Sequence, residues 1–327
     1  MVIKEDYVFR KKEKLNKIFF ATDIHGSEKC WLKLVNSGAF YDVETIILGG
    51  DMTGKGIQAI LEETPGVWKT NFLGEEIEVN DEAGLNKMES KVRNAGFYPH
   101  RFKPDEFNQF STSEEIQDSI FRLEMKKVIQ GWLEIADKKL KGTGRHILVT
   151  AGNDDPLYIN DLFGQSEVVT MVERQVIQLD ENHEMINEGY SNPTPWHTHR
   201  EMDEDSLYTV IKQQVEQLKD VHNSIFNLHV PPYNSKLDEA PLLDANLRPV
   251  DGGRTYVPVG STAVRKAIET YQPLLGLHGH VHEAKGSTNI GRTLCINPGS
   301  NYIEGALAGY LITLDKKSIR AFQPVQG

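Results

Sequence analysis

The sequence predicts an α/β fold with a substantially parallel sheet, and two kinds of segment carry that prediction. Short apolar runs recur along the chain, and each stops abruptly at a polar or glycine-containing cluster. Such runs are typical of strands that are buried on both faces. Segments with helical spacing of apolar residues separate them, and this alternation favours parallel pairing. The predicted strands are residues 18–22, 45–48, 146–151, 224–228 and 274–277.

Three segments have the pattern of amphipathic helices. Residues 112–140 begin with Thr112 and Glu115, which have the spacing of a capping box, and continue with apolar residues at helical intervals. Residues 203–221 repeat that pattern after an acidic start, which a helix N-terminus favours. Residues 261–271 form a shorter helix, with Ser261 as the predicted N-cap and a proline at 273 as the stop.

Two regions interrupt the alternation. Residues 67–79 predict a hairpin that turns near Gly74, and residues 173–179 and 184–188 predict a second hairpin. We interpret residues 54–111 as an insertion over the sheet, either a cap or an oligomer contact. The sequence contains no internal repeat, no low-complexity tract and no clear linker, so we expect residues 1–327 to form a single domain with this insertion.

Composition narrows the classes of function. The 327 residues include 47 acidic and 36 basic side chains, which gives a net charge of −11. A surplus of acid repels phosphate backbones, so nucleic acid is not an expected partner. No apolar run reaches the roughly 18 residues of a membrane helix. Residues 1–17 lack the apolar centre of a signal peptide. Cys30 and Cys295 are too few for a disulfide framework. We therefore expect a soluble cytoplasmic protein with no membrane partner; its oligomeric state stays open.

The polar clusters that end the predicted strands carry the candidate site. In open α/β sheets, ligands bind beyond the carboxyl ends of the strands. Imidazoles suit ions such as Zn, Fe and Ni, and carboxylates suit harder ions such as Mn. Seven ligands exceed one tetrahedral site and fit two ions that share a carboxylate. The seven candidates are Asp23, His25, Asp51, Asn153, His229, His280 and His282.

Each cluster alone has an ordinary structural explanation. A Gly-Asp pair after a strand, such as Gly50-Asp51, is common in turns, and an isolated histidine such as His229 is more often a hydrogen-bonded core or loop residue. His280 and His282 are a stronger signal, because side chains two residues apart on an extended segment share one face. Five clusters at five predicted strand ends favour a metal site over five unrelated structural roles.

In this order the clusters resemble the signature of the calcineurin-like metallophosphoesterases. The matching segments are Asp23-x-His25, Gly50-Asp51, Gly152-Asn153, His229, Gly279-His280-x-His282 and the following Asn297-Pro298-Gly299-Ser300. Residues 260–280 are similar to the Icc-like branch, which contains cyclic-nucleotide phosphodiesterases. Residues 189–196 look like a narrower bacterial and archaeal set of predicted phosphoesterases related to that branch. The resemblance spans most of the chain and implies a four-layer α/β/β/α sandwich.

The resemblance also implies a role for each ligand and two divalent metal ions as cofactors. Three residues would hold the first ion, three would hold the second, and Asp51 would bridge them. Mn, Fe, Zn and Ni all suit such a set, so the metal identity stays open. Two such ions and two ionised aspartates leave a local charge of about +2, which attracts phosphate in an acidic protein. By position the first set is Asp23, His25 and His282, and the second is Asn153, His229 and His280.

The activity implied by the resemblance is hydrolysis of small phosphomonoesters or phosphodiesters. Two ions about 3.5–4 Å apart can hold a water between them and lower its pKa towards roughly 7, so that a bridging hydroxide attacks phosphorus. One alternative is a binding scaffold that has lost catalysis, although such a scaffold would also be expected to have lost ligands. A nuclease or a protein phosphatase is a third hypothesis; the acidic charge weakens the former, and an insertion that narrows access weakens the latter.

Position 154 departs from the family pattern, which most often has a histidine there that is thought to assist the leaving group. An ionised Asp154 would repel phosphate and has no proton to donate at neutral pH, because the reference pKa of aspartate is about 3.9. Two alternatives follow. Either burial and a neighbouring carboxylate raise the pKa of Asp154 so that it serves as the acid, or the loop carrying His197, His199 and Arg200 supplies the proton or a phosphate contact. Asp155 either orients a ligand or caps a helix.

We predict that the protein hydrolyses esters of phenol-like leaving groups well and simple alkyl esters poorly. Replacement Asp154→His should narrow that gap, because an imidazolium donates a proton near neutral pH. The measurement is kcat/KM for aryl and alkyl phosphate esters in both proteins. An unchanged dependence on the leaving group in the variant would contradict this role for position 154.

Overall fold

The computed structural model describes residues 15–327. The prediction that residues 1–17 contain no signal peptide falls mostly on residues 1–14, which lie outside the described residues. Its helices are α1 (Glu28–Phe40), α2 (Glu82–Asn94), α3 (Pro104–Thr112), α4 (Glu114–Leu140), α5 (Glu204–Val215) and α6 (Thr262–Tyr271). Its strands are β1 (Asn16–Ala21), β2 (Thr45–Leu48), β3 (Ile57–Thr64), β4 (Val67–Phe72), β5 (Glu75–Val79), β6 (Tyr98–Phe102), β7 (His146–Val149), β8 (Val169–Met171), β9 (Val176–Gln178), β10 (Glu184–Glu188), β11 (Ile225–Leu228), β12 (Glu239–Pro241), β13 (Tyr256–Pro258), β14 (Leu275–Leu277), β15 (Gly286–Ile290), β16 (Thr293–Asn297), β17 (Ala308–Asp315) and β18 (Ser318–Gln326).

Two six-stranded mixed sheets form the centre of the described part. The first has the order β18-β17-β1-β2-β7-β8, and the second has the order β15-β16-β14-β11-β10-β9. In the first sheet β1, β2, β7 and β8 are parallel to one another, and β17 and β18 add an antiparallel edge. In the second sheet β10, β11, β14 and β16 are parallel, with antiparallel strands at both edges. The predicted parallel pairing is confirmed for all five predicted strands.

Apolar side chains pack into three layers around these sheets, because neighbouring residues of a strand point to opposite faces. Phe19 of β1 faces α1 and α4, whereas the adjacent Phe20 faces the second sheet. On the far side of the second sheet, Phe226 of β11 packs with α5 and α6. The layers therefore run helix, sheet, sheet, helix. The four-layer α/β/β/α sandwich that the resemblance implies is confirmed.

The helix boundaries differ from the prediction in two places. Residues 112–140 do not form one element: α3 ends at Thr112, and α4 begins after Ser113, whose hydroxyl accepts a hydrogen bond from the Ile116 amide. The capping box predicted at Thr112 and Glu115 is therefore wrong by one residue. Helix α5 ends at Val215 rather than near residue 221. The predicted cap of α6 is confirmed, since the Ser261 hydroxyl accepts from the Val264 amide.

Residues 57–102 build a separate small sheet with the order β5-β4-β3-β6, covered by α2. Ile60, Leu85 and Met88 form a core of its own beneath that helix. The hairpin predicted for residues 67–79 is confirmed, with β4 and β5 antiparallel. The hairpin predicted at 173–188 is confirmed as well, through β9 and β10. The division into one domain with an insertion at 54–111 stays a prediction.

Among the helices of residues 15–327, none is both long and apolar enough to cross a lipid bilayer.

Candidate metal centre

The predicted ligands follow strands that are neighbours in the two sheets. Asp23 and His25 lie just after β1, Asp51 after β2 and Asn153 after β7, which are adjacent strands of the first sheet. His229 follows β11, and the His280–His282 segment follows β14, its neighbour in the second sheet. Because both sheets place the carboxyl ends of these parallel strands at one edge, residues far apart in sequence reach one place.

Backbone hydrogen bonds hold these loops against one another. The amide of Asp23 donates to the Gly50 carbonyl at 3.0 Å, and the amide of His25 donates to the Asp51 carbonyl at 2.9 Å. In the second sheet the amide of Gly279 donates to the His229 carbonyl at 2.8 Å. The loops after β1 and β2, and those after β11 and β14, are thus paired, and the ligand side chains inherit a fixed spacing.

Four of the ligand residues have left-handed backbone conformations that non-glycine residues rarely adopt. The φ angles are 53° at Asp23, 39° at His25, 49° at Asp51 and 67° at His280. Each such residue costs on the order of 1–3 kcal/mol and persists only where the surrounding structure enforces it. Their concentration at one sheet edge indicates that local stability is given up to aim side chains at a common centre.

Two glycines leave room for these side chains. Gly50 has φ +121°, a conformation open to glycine, and a Cβ there would overlap the ring of His229. A Cβ on Gly152 would overlap the carboxylate of Asp51. The glycines in the Gly-Asp and Gly-Asn pairs are therefore needed because ligand side chains from other strands occupy the space where their own would lie.

The first predicted group comes together as Asp23, His25 and His282, whose ligand atoms all lie within 4.8 Å of one another. The Nε2 atoms of His25 and His282 are 2.9 Å apart, and Nε2 of His282 is 3.4 Å from Oδ1 of Asp23. The hydroxyl of Thr22 donates to the other Asp23 oxygen at 2.7 Å. Three ligand atoms from the loops after β1 and β14 therefore converge on one point.

The second group comes together as Asp51, His229 and His280, again within 4.8 Å. The Oδ1 atom of Asn153 joins it, 3.1 Å from Nε2 of His229 and 2.6 Å from Nδ1 of His280. The Nδ1 atom of His229 lies 2.9 Å from the Gly49 carbonyl, to which it donates. That hydrogen bond leaves Nε2 as the nitrogen directed at the centre, the arrangement typical of histidine ligands.

Asp51 lies between the two groups. Its Oδ2 is 3.7 Å from Nε2 of His25, in the first group, and 3.4 Å from Nε2 of His229, in the second. Its Oδ1 accepts a hydrogen bond from the amide of Asp154 at 2.9 Å. The residue is 2% exposed, so its carboxylate is surrounded by these groups rather than by water. This placement is the one expected of a carboxylate that both groups could share.

Burial and the neighbouring charges set the protonation of the centre. Burial lowers the pKa of His25 to about 3 and that of His280 to about 4, so both rings are neutral and able to act as ligands. For His229 burial acts in the same direction, but the carboxylate of Asp51 outweighs it and raises the pKa to about 10. Burial acts to raise the pKa of Asp51, yet the charge and hydrogen bond of His229 outweigh it and hold that pKa well below its usual value.

The donors fit divalent metal ions. The buried ring of His25 and the partly exposed ring of His282 meet nitrogen to nitrogen, an arrangement that needs a shared proton or a cation between two lone pairs. The proton on His229 that Asp51 stabilises takes the place a cation would fill. Mixed imidazole, carboxylate and amide oxygen donors suit Mn, Fe, Zn and Ni. Because ions and protons compete for these atoms, metal affinity is expected to fall in acid.

No known family profile matches this chain. Among curated proteins, it is similar to the uncharacterized protein MJ1162 of Methanocaldococcus jannaschii, with 30% identity over 154 residues. That alignment covers 46% of this chain and 63% of the relative, so the matched part spans less than two thirds of the relative's length.

Two solved structures are similar to this chain over nearly its whole length and show its fold. TT1561 of Thermus thermophilus covers 95% of this chain and 99% of its own, with 13% identity and a TM-score of 0.53. A second crystal structure gives the same TM-score over 96% of this chain and 99% of its own, with 15% identity. The chain has the calcineurin-like metallophosphoesterase fold. An archaeal phosphodiesterase covers 95% of the chain and 99% of its own, with 12% identity, but its TM-score of 0.36 is too low to support an inference.

Within this metallophosphoesterase fold, Asp154 lies at the rim of the centre. Its Oδ2 is 3.8 Å from Nδ1 of His25 and forms an ion pair with the ammonium of Lys55. Asp154, Asp51 and His25 make up a third group whose potential ligand atoms lie within 4.8 Å of one another. Burial and the charge of Asp51 raise the pKa of Asp154 to about 6, although Lys55 opposes the rise. A raised pKa is what Asp154 would need in order to donate a proton to the leaving group. Its role as an acid stays a prediction.

Arg200 does not point at the centre. Its guanidinium donates to the carbonyls of Asp155 and Pro156, at 2.7 and 2.9 Å, and to Oδ1 of Asn160 at 2.9 Å. The side chain is 1% exposed and lies 4.0 Å from the carboxylate of Glu173. The prediction that Arg200 supplies a phosphate contact conflicts with this placement, because its donors already hold the backbone that follows Asn153.

His197 and His199 are exposed, and neither makes a contact with a predicted ligand among the described hydrogen bonds and ion pairs. The residue of this loop that reaches the centre is Thr198, whose hydroxyl accepts from Nδ2 of Asn153 at 2.9 Å and donates to Glu201 at 2.6 Å. Thr198 thereby turns Oδ1 of Asn153 towards the two histidines. In the sequence this loop stands out for its imidazoles, and the threonine between them carries no comparable signal.

Two further residues at the centre, Lys55 and Tyr302, had no clear signal in the sequence, whereas Asp155 had two alternative predicted roles. Lys55 lies four residues after Asp51 in a loop without any other signal, and Tyr302 packs its ring 4.7 Å from that of His25 and 5.9 Å from that of His282. Tyr302 follows the Asn297–Ser300 segment, whose only signal in the sequence is its similarity to the metallophosphoesterase signature. Asp155 is fully buried and accepts from the amides of Met52, Thr53 and Gly152, so it ties the loops after β2 and β7 together.

We predict that Thr198→Val weakens metal binding at the group containing Asn153. The amide would lose the partner that fixes its orientation, and loss of such a supporting group typically lowers metal affinity by about 10- to 100-fold. Calorimetric titration of the metal-free protein with Mn²⁺ measures the effect. Thr198→Ser, which keeps the hydroxyl, is the matched control; equal losses in both variants would contradict the assigned hydrogen bond.

A second prediction concerns the acid beside Arg200. Burial and the nearby Glu188 raise the pKa of Glu173 to about 8, so the folded protein holds a proton there that the unfolded chain releases near pH 4.5. Its contribution to the free energy of unfolding therefore falls as the pH rises through that window.

Glu173→Gln removes this titration. At about 1.4 kcal/mol per pKa unit, the natural protein should lose roughly 1–2 kcal/mol more than the variant between about pH 6 and pH 8. Urea unfolding of both proteins in the presence of a chelator measures the difference. The exposed Glu76→Gln serves as control, and parallel pH profiles for Glu173→Gln and the natural protein would contradict the prediction.

Proposed function

We propose that this protein is a metal-dependent phosphoesterase that hydrolyses small phosphomonoesters or phosphodiesters. The observation that carries the proposal is the place of Asp51, a buried carboxylate within 3.4–3.7 Å of a histidine from each of two ligand groups. Two ligand groups that share a carboxylate suit two-ion phosphoryl chemistry, in which both the attacking and the leaving oxygen are stabilised. The fold supports the same interpretation.

The residues of this chain hold and orient the parts of that chemistry. Asp23, His25 and His282 would hold one ion, and Asn153, His229 and His280 the other, with Asp51 between them. When bound, two divalent ions supply positive charge to the phosphate oxygens and lower the pKa of water, so that hydroxide forms near neutral pH. We take the identity of the ions to be among Mn, Fe, Zn and Ni.

The electrostatics of the chain support a small anionic substrate. The protein carries a net charge of −11, so extended polyanions gain no long-range attraction from its surface. Asp51, His229 and His25 are at most 2% exposed, whereas Asp154 and Lys55 at the rim keep side-chain exposures of 22% and 35%. The burial of these three residues and the partly exposed charges at the rim favour a phosphate group entering from one side.

We predict Mn²⁺-stimulated hydrolysis of 4-nitrophenyl phosphate or of bis(4-nitrophenyl) phosphate by the purified protein. Asp51→Asn should lower kcat/KM by more than about 100-fold, because even residues that only support a ligand contribute 10- to 100-fold. The variant should also retain less metal after dialysis, measured by elemental analysis. A series loaded with Mn, Fe, Zn or Ni ranks the ions.

His222→Ala is the matched control, since this imidazole is exposed and its ring contacts the Gln272 carbonyl, away from the ligands. It should keep both activity and metal content. Metal-loaded protein that fails to hydrolyse either ester would refute the proposal and favour a binding scaffold. Full activity after exhaustive metal removal would refute the metal dependence.

A further inference from the structure

Lys55 places its ammonium at the rim of the centre, and both its backbone and its side chain are held by contacts. Its backbone amide donates to the Gly96 carbonyl at 3.1 Å, and the preceding Gly54 amide donates to the Tyr98 hydroxyl at 2.7 Å. The ammonium forms an ion pair with Asp154. The small sheet of residues 57–102 therefore anchors the backbone of Lys55 while the side chain reaches the ligand loops.

The carboxylate that receives this ammonium is itself fixed by ligand residues. The amide of Asp154 donates to Oδ1 of Asp51 at 2.9 Å, and its Oδ1 accepts from Nδ2 of Asn153 at 3.2 Å. Its Oδ2 lies 3.8 Å from the ring of His25. The ammonium of Lys55 is thereby held beside residues of both ligand groups.

We propose that Lys55 is a catalytic residue of the phosphoesterase, donating a charged hydrogen bond to the phosphate and to the departing oxygen, with Asp154 as its positioning residue. This inference rests on the proposed function. The ammonium occupies the side of the centre that carries Asp154, and among the described ion pairs no other lysine or arginine pairs with a carboxylate of the ligand loops. Arg200, the other cation considered for this task, is committed to the backbone.

The chemistry balances without a further reactant. Water oxygen forms a bond to phosphorus, the bond between phosphorus and the leaving oxygen breaks, and its electron pair stays on that oxygen. The Lys55 ammonium stabilises the negative charge that develops there, and the alcohol or phenol gains the proton that water loses, by way of solvent. Lys55 keeps its own proton, so it assists poor leaving groups more than good ones.

A purely structural role explains the pair less well. Both partners are partly exposed, and exposed ion pairs contribute little to stability. Other lysines of this chain form such pairs with carboxylates outside the centre, for example Lys141 with Glu167 at 2.6 Å. The pair at Asp154 differs because one partner is hydrogen-bonded to two ligand residues.

The test compares Lys55→Met with Lys141→Met. Both remove one positive charge, and Lys141 precedes β7, whose opposite end leads to Asn153. The substrates are 4-nitrophenyl and phenyl phosphate, and the corresponding methyl diesters. In Lys55→Met the ratio of kcat/KM for nitrophenyl over phenyl ester should rise by at least about tenfold, the effect of losing one hydrogen bond to a charged group. Lys141→Met should leave the ratio unchanged.

A binding measurement separates this role from a loss of metal. Calorimetric titration of the metal-loaded protein with inorganic phosphate should show affinity about 10- to 100-fold weaker in Lys55→Met, with unchanged metal content. Asp154→Asn should shift the leaving-group ratio in the same direction, and Asp154→Glu should restore part of it.

The outcomes distinguish the two proposals. If the natural protein is active and Asp51→Asn is not, but Lys55→Met keeps both the leaving-group ratio and phosphate affinity, Lys55 has no catalytic role and the phosphoesterase stands. If the metal-loaded natural protein hydrolyses none of the four esters, the proposed function fails first. Loss of metal in Lys55→Met would overturn the assignment in favour of a structural role.

Discussion

The centre depends on one buried charge, the carboxylate of Asp51. A carboxylate removed from water is costly unless cations and hydrogen bonds surround it. Here the protonated ring of His229, 3.4 Å away, and the amide of Asp154, at 2.9 Å, do so. In the absence of metal the compensating cation is the proton on His229. Divalent ions would replace that proton. The electrostatic balance between the Asp51 carboxylate and the positive charge beside it would then affect both the stability of the centre and its affinity for metal.

That balance holds only if the two sheets keep their relative position. The apolar layer between them contains Phe20 and Ile47 from the first sheet and packs the two sheets together. A polar connection lies close to the centre: Nδ2 of Asn227 on β11 donates to the Thr150 hydroxyl after β7 at 2.7 Å and to Asn187 on β10 at 2.9 Å. These buried hydrogen bonds favour one register between the sheets. Asn227 and Thr150 precede ligands by two and three residues, so this register reaches the ligands directly.

The sequence was sufficient for the strands and for the residues that cluster at the centre, because both leave a local signal; that these residues bind metal stays a prediction. A fully buried strand such as β2 is an apolar run in the sequence, and it ends at Gly50-Asp51, where the glycine is required by a ring from another strand. Long-range hydrogen bonds leave no such signal. The role of Arg200 is set by carbonyls some 45 residues earlier, and Thr198 matters only because Asn153 lies beside it. The predicted helix N-cap at Thr112 was wrong for a related reason. Threonine and serine are both good N-caps, and only packing selects between neighbouring candidates.

Position 154 shows how one additional carboxylate alters the surrounding charges. An imidazole there adds no fixed negative charge, whereas a carboxylate next to Asp51 is repelled by it, and burial together with this repulsion raises the pKa of Asp154 to about 6. Lys55 opposes that rise, and the two side chains together carry almost no net charge while both are ionised. The net positive charge that attracts a phosphate would then come from the bound ions. The ammonium would set the direction of a hydrogen bond to the phosphate rather than add net attraction. Because Lys55 is anchored through Gly96 and the small sheet, that direction depends on a part of the chain that supplies no ligand.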